Sequence, residues 1–276
     1  MLRVAWWVVV SWAVNAAVWA AWPALGLPAP GEILYTLITY CVLYAVVAAY
    51  ARHHLGDPWE DLVPLRGIAL WLALPVALLT LGTFLLSFQS ISLFEAINVL
   101  PPEVFDLVSR GLPDTQASDP SLLTELVSTA VLPAVFEEAT FRGLVLQALA
   151  ATMTKRRAIV ISAIYFAAVH FRIQHTADTF LLGLLYGWMF VRTGSLLPSM
   201  LAHFLHNGVC TLLDQLDLWP GSADAWVGVN AYGLMPAWTV WAGMGLIVAG
   251  VVGIRMTWSR QGGGPAGTLD EFDLAA

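Results

Sequence analysis

The stretch Val135-Phe-Glu-Glu-Ala-Thr-Phe-Arg-Gly143 decides the fold, because it places three ionisable side chains inside a long apolar run. An ionisable side chain is costly in a lipid bilayer and normally faces the interior of a helix bundle or a wet cavity. Glu138 and Arg142 are four residues apart, so they share one helical face and can pair. Glu137 is rotated by about 100° from Glu138. The stretch therefore predicts a helix in which the arginine holds one carboxylate and the other is free for chemistry.

The composition favours an integral membrane protein. Of the 276 residues, 59% are hydrophobic and only 11% are charged, whereas a soluble domain carries about 25% charged residues. The net charge is -7 and the basic residues are scattered beside apolar runs, so nucleic-acid binding is not expected. Cys41 and Cys210 lie inside apolar runs without the spacing of a zinc site or a disulfide framework, which is typical of small buried hydrophobes.

The apolar runs predict an all-α fold, a polytopic transmembrane bundle of about eight spans. A spanning helix needs about 20 mostly apolar residues. The runs that approach this length are 4–22, 32–51, 67–90, 122–150, 157–172, 177–192, 195–216 and 233–256. If both termini are cytoplasmic, nine of the twelve Lys and Arg residues fall on the cytoplasmic side, in agreement with the positive-inside rule. The Ala-, Leu- and Trp-rich composition points to a bacterial inner membrane.

The same pattern divides the chain into four segments. Residues 1–121 hold the N-terminal spans and a long acidic outside loop, 122–216 the helices with the polar residues, 217–261 the last outside loop and final span, and 262–276 a disordered tail. Within the loop, Ser92 to Leu112 is amphipathic and is interpreted as an interfacial helix, a lid or a plain connector. Gly183 with Gly187, and the stripe Gly245, Ala249 and Gly253, predict close helix packing.

Polar side chains recur inside two later apolar runs. His170 follows Phe166 by one turn in the fifth run, and His203 and Asn207 share one face of the seventh. His203 lies about 12 Å from the cytoplasmic end of its span, whereas His170 falls near the outside end of the fifth run, so the two expected depths conflict. A single such residue could satisfy an interhelical hydrogen bond. Together with the two glutamates they predict a shared cavity, because each buried polar group needs a partner in lipid.

Such a cluster is suited to activating water. A carboxylate beside an imidazole can take a proton from water, and a second imidazole with an amide can donate hydrogen bonds to a developing oxyanion. These are the groups of a peptide hydrolase that has no nucleophilic Ser or Cys. The alternative is a zinc site formed by Glu137, His170 and His203; HExxH is absent, and the histidines come from separate helices.

The two glutamates with Arg142, Phe166 with His170, and His203 with Asn207 form three short motifs that follow one another along the chain. Together they resemble the motifs of the CPBP family of intramembrane proteases, which includes the Rce1-type CAAX prenyl endopeptidases and bacteriocin-processing or immunity proteins. The segments Gly183-Leu-Leu-Tyr-Gly187 and Arg192-Thr-Gly-Ser-Leu-Leu-Pro198 are also similar to the family's usual run. The resemblance covers residues 122–212 and shows no departure from the three motifs. These motifs are Glu137-Glu138-x-x-x-Arg142, Phe166-x-x-x-His170 and His203-x-x-x-Asn207.

The resemblance implies an intramembrane endopeptidase that uses a glutamate-activated water. Glu137 would be the general base on the attacking water, assisted by His170. His203 and Asn207 would form the oxyanion site. No cofactor is favoured, because the amide of Asn207 suits an oxyanion better than zinc, although zinc bound by the two histidines and Glu137 remains the alternative.

The resemblance gives Glu138 and Arg142 a supporting role, in which they would hold the helix and tune the base. The expected partners are the lipid bilayer and a peptide or membrane-protein substrate; in a bacterium a leader peptide, a sorting-signal tail or a membrane segment is expected rather than a prenylated protein. Two other functions stay open. One is a non-catalytic immunity or adaptor protein of the same fold, and the other is a proton-coupled transporter, a class that more often shows inverted repeats or broken helices. The pattern specifies no oligomeric state.

Overall fold

The computed structural model of the protein describes residues 2–26, 30–55, 63–67, 70–97, 121–170, 175–216, 218 and 235–260. These residues form helices and connecting turns, with no strand among them, which confirms the all-α prediction. The main helices are α1 Leu2–Ala21, α2 Glu32–Leu55, α3 Ala73–Ile97, α4 122–150, α5 Lys155–Ala168, α6 Thr176–Thr193, α7 Leu197–Gln215 and α8 Ala237–Arg260.

Each predicted apolar run corresponds to one of these helices, and several helix ends differ from the predicted ones by a few residues. α3 continues to Ile97, so the outside loop does not begin at residue 91 as expected; the first helix-breaking residues in this part of the sequence are Pro101 and Pro102. α5 ends at Ala168 rather than at residue 172. The rest of the predicted loop, including most of the amphipathic stretch to Leu112, and the tail 262–276 lie outside the described residues.

In the part of the chain that the structure describes, two helical segments are long and apolar enough to cross a bilayer by length and composition. They are Leu70–Ser90, which includes most of α3, and Ala237–Thr257 in α8. α8 also presents an apolar outer face, on which Trp241 is 71% and Val248 is 62% exposed. On a soluble monomer an apolar face of this kind normally marks a contact with membrane or protein. The helices therefore fit the broad expectation of a membrane protein.

α4 departs from regular α-helical geometry at two π-helical segments, Leu126–Val131 and Ala139–Leu146. Pro133 follows the first segment. Proline has no N–H, and its ring crowds the carbonyl four residues earlier, which here belongs to Thr129. The wider π turn accommodates this local conflict. The second π segment begins directly after Glu138, in keeping with the frequent occurrence of such segments at functional sites.

α5 and α6 approach each other closely at two glycines of α6, and at Gly183 a side chain would collide with the backbone of α5. A Cβ atom on Gly183 would lie 2.9 Å from Cα of Ala163, and one on Gly187 would lie 3.2 Å from Cγ2 of Ile159. The prediction that this glycine pair packs within the chain is confirmed. The close crossing also brings the Gly183 carbonyl to α4, where it contacts the arginine described below.

The predicted small-residue stripe of α8 is confirmed at Gly253 and is wrong at Gly245 and Ala249. Gly245 has open space around it, and Ala249 is exposed. The face that packs on α3 instead contains Gly250, where a Cβ would lie 2.6 Å from Cβ of Leu79, and Gly253, where it would lie 2.9 Å from Cβ of Pro75. Spacing alone does not reveal which of several small residues a neighbouring helix covers.

The turn between α6 and α7 fixes the position of the seventh helix. Gly194 adopts φ 61°, a left-handed conformation that suits glycine at a helix end. Ser195 Oγ donates to the Arg66 carbonyl at 2.8 Å, and the Leu196 N–H donates to the Pro64 carbonyl at 2.9 Å. The segment 63–67 thus anchors the start of α7, the helix that carries His203.

Candidate active site

The pair of Glu138 and Arg142 is buried in the bundle. Arg142 Nη1 donates to Glu138 Oε1 at 2.8 Å, and neither side chain is more than 1% exposed. Arg142 Nη2 donates to the Gly183 carbonyl at 3.3 Å, while the guanidinium lies 4.4 Å from the ring centroid of Phe166 and 5.2 Å from that of Tyr186. These contacts are within cation–π range. The expected pair is therefore present, and its cation joins α4, α5 and α6.

Glu138 also contacts α7. Its Oε1 atom lies 2.9 Å from Nδ1 of His203, whose ring stacks on Tyr186 at a centroid distance of 5.4 Å. An ionised carboxylate can only accept a hydrogen bond, so Nδ1 carries the proton in this contact. Sequence reasoning assigned Glu138 to the arginine alone. The structure shows that the same oxygen also orients the His203 ring, whose Nε2 atom faces Glu137 rather than Glu138.

Glu137 faces a different environment. Its Oε1 atom accepts a hydrogen bond of 2.6 Å from the Tyr40 hydroxyl on α2. Its Oε2 atom lies 3.9 Å from Nε2 of His170 and 3.9 Å from Nε2 of His203. Among the described residues this oxygen has no hydrogen-bond partner. The Glu137 side chain is 17% exposed, against 0% for Glu138. The two adjacent carboxylates thus differ in their surroundings as predicted, because Glu138 is buried against Arg142 and Glu137 is the more exposed of the two.

His170 lies in the turn that follows α5, and its Nδ1 atom is 2.6 Å from the Phe166 carbonyl oxygen. A carbonyl can only accept, so Nδ1 carries the proton and a neutral ring presents the lone pair of Nε2 towards Glu137. α5 has 14 residues, or about 21 Å, which is shorter than a hydrocarbon core of about 30 Å. With α5 ending at Ala168, the Nε2 atoms of His170 and His203 both lie 3.9 Å from one carboxylate oxygen of Glu137, although the sequence placed the two histidines at different depths.

Asn207 has a contact that the sequence did not predict. Its Nδ2 atom donates to the Thr129 carbonyl at 2.8 Å. In a regular α-helix this carbonyl would accept from residue 133, which is proline and has no N–H to give. Thr129 precedes Glu137 by eight residues, or about 12 Å of helix. Asn207 therefore joins α7 to an irregular turn of α4, and the second N–H of its amide remains for another acceptor.

A cavity of about 230 Å³ lies beside Glu137. Its walls come from α1, α2, α4 and the turn after α5, and its lining includes Glu137, His170 and Tyr40. The side chain with the free oxygen thus borders a space large enough to admit water and part of a substrate. The buried Glu138 is not among the lining residues of this cavity.

Tyr40 is the site residue that sequence reasoning missed. It lies on α2, outside the three motifs. Its ring centroid is 5.8 Å from that of Phe136, and the ring centroid of Tyr44 is 6.2 Å from that of Phe136. A signal was present in the sequence, because two tyrosines four residues apart in an apolar run mark a helical face with hydroxyl groups that need partners. Nothing in that pattern identified Glu137 as the partner.

The zinc alternative does not fit the positions of the side chains. Among the described residues, no group of three or more His, Cys, Asp or Glu side chains is arranged to hold a metal ion. Ligands at about 2.0–2.1 Å from a tetrahedral zinc ion lie roughly 3.3 Å apart, whereas Glu137 Oε2 is 3.9 Å from each histidine Nε2. The expectation of a reaction without a cofactor stays a prediction, which metal analysis can test.

The fold and the site define the class as an all-helical protein with a buried glutamate–histidine centre. A family model described as type II CAAX prenyl endopeptidase Rce1-like matches residues 119–209, about a third of the chain. The chain thus contains an Rce1-like region that includes all three motifs, and the resemblance is confirmed. This family consists of membrane-associated proteases, which supports peptidase activity in general. Neither a curated protein nor a solved structure matches the chain.

Proposed function

We propose that the protein is an intramembrane endopeptidase that hydrolyses a peptide bond with a water molecule activated by Glu137. The proposal depends chiefly on Glu137 Oε2, which is 3.9 Å from Nε2 of both His170 and His203. Atoms at this separation can be bridged by one water with ordinary hydrogen bonds. Glu137 also lines the cavity, so a substrate that occupies this space would lie beside the same side chain.

In the first step Glu137 Oε2 accepts a proton from the water as the water oxygen attacks the carbonyl carbon. A new C–O bond forms, and the carbonyl electron pair moves onto oxygen. His170 accepts the second O–H of the water through its Nε2 lone pair and so orients the nucleophile. Tyr40 holds Oε1, which leaves Oε2 directed at the water. A positioned general base of this kind contributes about 10²–10⁴-fold to the rate.

His203 is the proposed donor to the oxyanion, and this role requires its imidazolium form. Glu138 lies 2.9 Å from Nδ1 and stabilises that cation. The two carboxylates and Arg142 leave one negative charge in the cluster, which a protonated His203 neutralises. When the tetrahedral intermediate collapses, Glu137 returns its proton to the amide nitrogen, the C–N bond breaks, and a carboxylic acid and an amine leave.

We also propose that the eight helices form a multi-pass bundle in a bacterial inner membrane, with both termini in the cytoplasm. The distribution of Lys and Arg supports this arrangement. So do the outward apolar side chains of the first and last helices, since Trp6 is 62% and Trp241 is 71% exposed. Reporter fusions in the connecting segments would test the topology, and a C-terminal reporter outside the cytoplasm would contradict it.

Metal analysis beside a cleavage assay tests the mechanism. The purified protein in detergent should contain no stoichiometric transition metal, and its cleavage of a mixed peptide library should survive a strong chelator. The reason is that a carboxylate base takes the water proton without a Lewis acid. One bound zinc per chain, with cleavage lost on its removal and restored on its return, would contradict the proposed mechanism.

Asn207→Ala separates a catalytic from a structural role of the amide. Loss of an oxyanion donor should lower kcat by about 10²–10³-fold with little change in KM. Loss of the hydrogen bond to Thr129 should also lower stability by about 0.5–1.5 kcal/mol, because an exposed carbonyl loses its partner within the protein. The measurements are steady-state kinetics and thermal unfolding in detergent.

The variant Asn207→Ala/Pro133→Ala is the matched control, because alanine at position 133 restores an N–H that can bond to the Thr129 carbonyl. We expect it to recover stability but not kcat. Recovery of both would show that Asn207 acts only on the shape of α4.

A further inference from the structure

The cavity beside Glu137 has a size that the water reaction does not require. At about 30 Å³ for each water-sized atom, its volume of about 230 Å³ corresponds to roughly eight non-hydrogen atoms. A phenylalanine side chain is close to this size and a leucine or methionine side chain is about half of it, so each of them can enter, whereas a fifteen-carbon isoprenoid is about twice as large as the cavity. Apolar side chains supply much of the wall: Val8, Trp12, Leu43, Phe141 and Val169.

Three hydroxyl groups on the same wall already have partners inside the protein. Ser11 Oγ donates to the Val8 carbonyl at 2.7 Å, Thr39 Oγ1 accepts from Trp19 Nε1 at 3.0 Å, and Tyr40 donates to Glu137 at 2.6 Å. Away from Glu137, Thr140 and His170, the wall thus has little hydrogen-bonding capacity for a polar occupant, which would lose its hydration on entry. An apolar side chain loses nothing comparable and gains by leaving water.

We infer that this cavity is the subsite for one large apolar side chain of the peptide substrate, of the size of leucine, methionine or phenylalanine, beside the cleaved bond. Glu137 and His170 line the same space, so a side chain seated there places its own peptide group near the free carboxylate oxygen. The inference rests on the proposed function, since it takes the occupant to be a substrate. Val8, Trp12 and Leu43 lie on α1 and α2, outside residues 119–209, so much of this specificity comes from helices that the family model does not cover.

The test uses the full-length protein in detergent and peptides that differ at one position, with Ala, Leu, Phe, Lys or a prenylated Cys there. Mass spectrometry locates the cut, and kcat/KM gives the preference. The wild type should favour Phe and Leu over Ala by about tenfold or more. Leu43→Trp and, independently, Val8→Phe fill the cavity and should reduce that ratio to near one while the Ala peptide is still cleaved. Ala45→Trp adds the same ring at an exposed position of α2 and should leave the ratio unchanged.

The outcomes separate the subsite from the reaction. Cleavage that needs Glu137 but prefers Lys, Ala or the prenylated Cys, or whose preference survives both filling variants, overturns the subsite. Cleavage that survives Glu137→Gln overturns the proposed base and leaves the subsite supported if the filling variants act as expected. If no peptide is cut, fluorescence anisotropy with a labelled Phe peptide decides. If Leu43→Trp weakens binding and Ala45→Trp does not, the subsite is supported and the protein is a peptide-binding protein rather than an endopeptidase. If the two variants bind the peptide equally well, both the subsite and the proposed endopeptidase function are overturned.

Discussion

Glu137→Gln should lower kcat by about 10²–10⁴-fold and leave KM and the unfolding temperature close to those of the wild type. An amide cannot accept the water proton, so the reaction loses its base. It is nearly the same shape as the carboxylate, and its oxygen can still accept the hydrogen bond from Tyr40 that holds Oε1 at 2.6 Å. The measurements are single-turnover and steady-state cleavage of one peptide, together with thermal unfolding in detergent.

Glu125→Gln provides a matched control for this prediction. It makes the same chemical change on the same helix, twelve residues or about 18 Å earlier, and should leave cleavage unchanged. Near-wild-type turnover in Glu137→Gln would remove Glu137 as the base. A folded Glu137→Gln protein that binds peptide but does not cut it would show that the carboxylate acts in the chemical step and not in assembly of the bundle.

Much of the helical fold was predictable because the signal is physical and local. Each long apolar run became one helix, since a backbone in an apolar environment must satisfy its own hydrogen bonds. The end of α5 was not predictable, because nothing at Ala168 breaks a helix. The packing face of α8 was predicted correctly only at Gly253, for a related reason: Gly245 and Gly250 look alike in sequence, and only the position of α3 distinguishes them.

At the site, the spacing of Glu138 and Arg142 was sufficient to predict their contact, because one turn of helix fixes it. The contacts between helices could not be predicted from residue spacing alone. That Glu138 holds His203 depends on the crossing of α4 and α7, and that Tyr40 holds Glu137 depends on the position of α2. The contact of Asn207 with Thr129 depends on a proline seventy-four positions earlier in the chain. A motif identifies the residue types at a site, whereas tertiary contacts determine the role of each residue.

Arg142→Ala should destabilise the protein by about 3–5 kcal/mol, because it leaves a fully buried carboxylate without its cation. Glu138 is 0% exposed, so water cannot replace the lost partner. The guanidinium also supports α6 through the Gly183 carbonyl and α5 through the face of Phe166. We expect a large fall in unfolding temperature in detergent, with cleavage lost at temperatures where the wild type is active. A fully stable variant would show that Glu138 does not depend on this cation.

The double variant Glu138→Gln/Arg142→Met shows whether Arg142→Ala loses cleavage because the protein unfolds or because the reaction itself fails. Removing both charges of a buried pair and filling the space with an apolar side chain is often neutral or stabilising, so the double variant should recover most of the stability that Arg142→Ala loses. It should not recover cleavage, because glutamine no longer supplies the anion that holds the proposed His203 imidazolium through Nδ1 at 2.9 Å. Recovery of both stability and cleavage would make the pair purely structural. Recovery of stability alone would mean that Glu138, although out of reach of the substrate, determines which histidine can donate to the oxyanion.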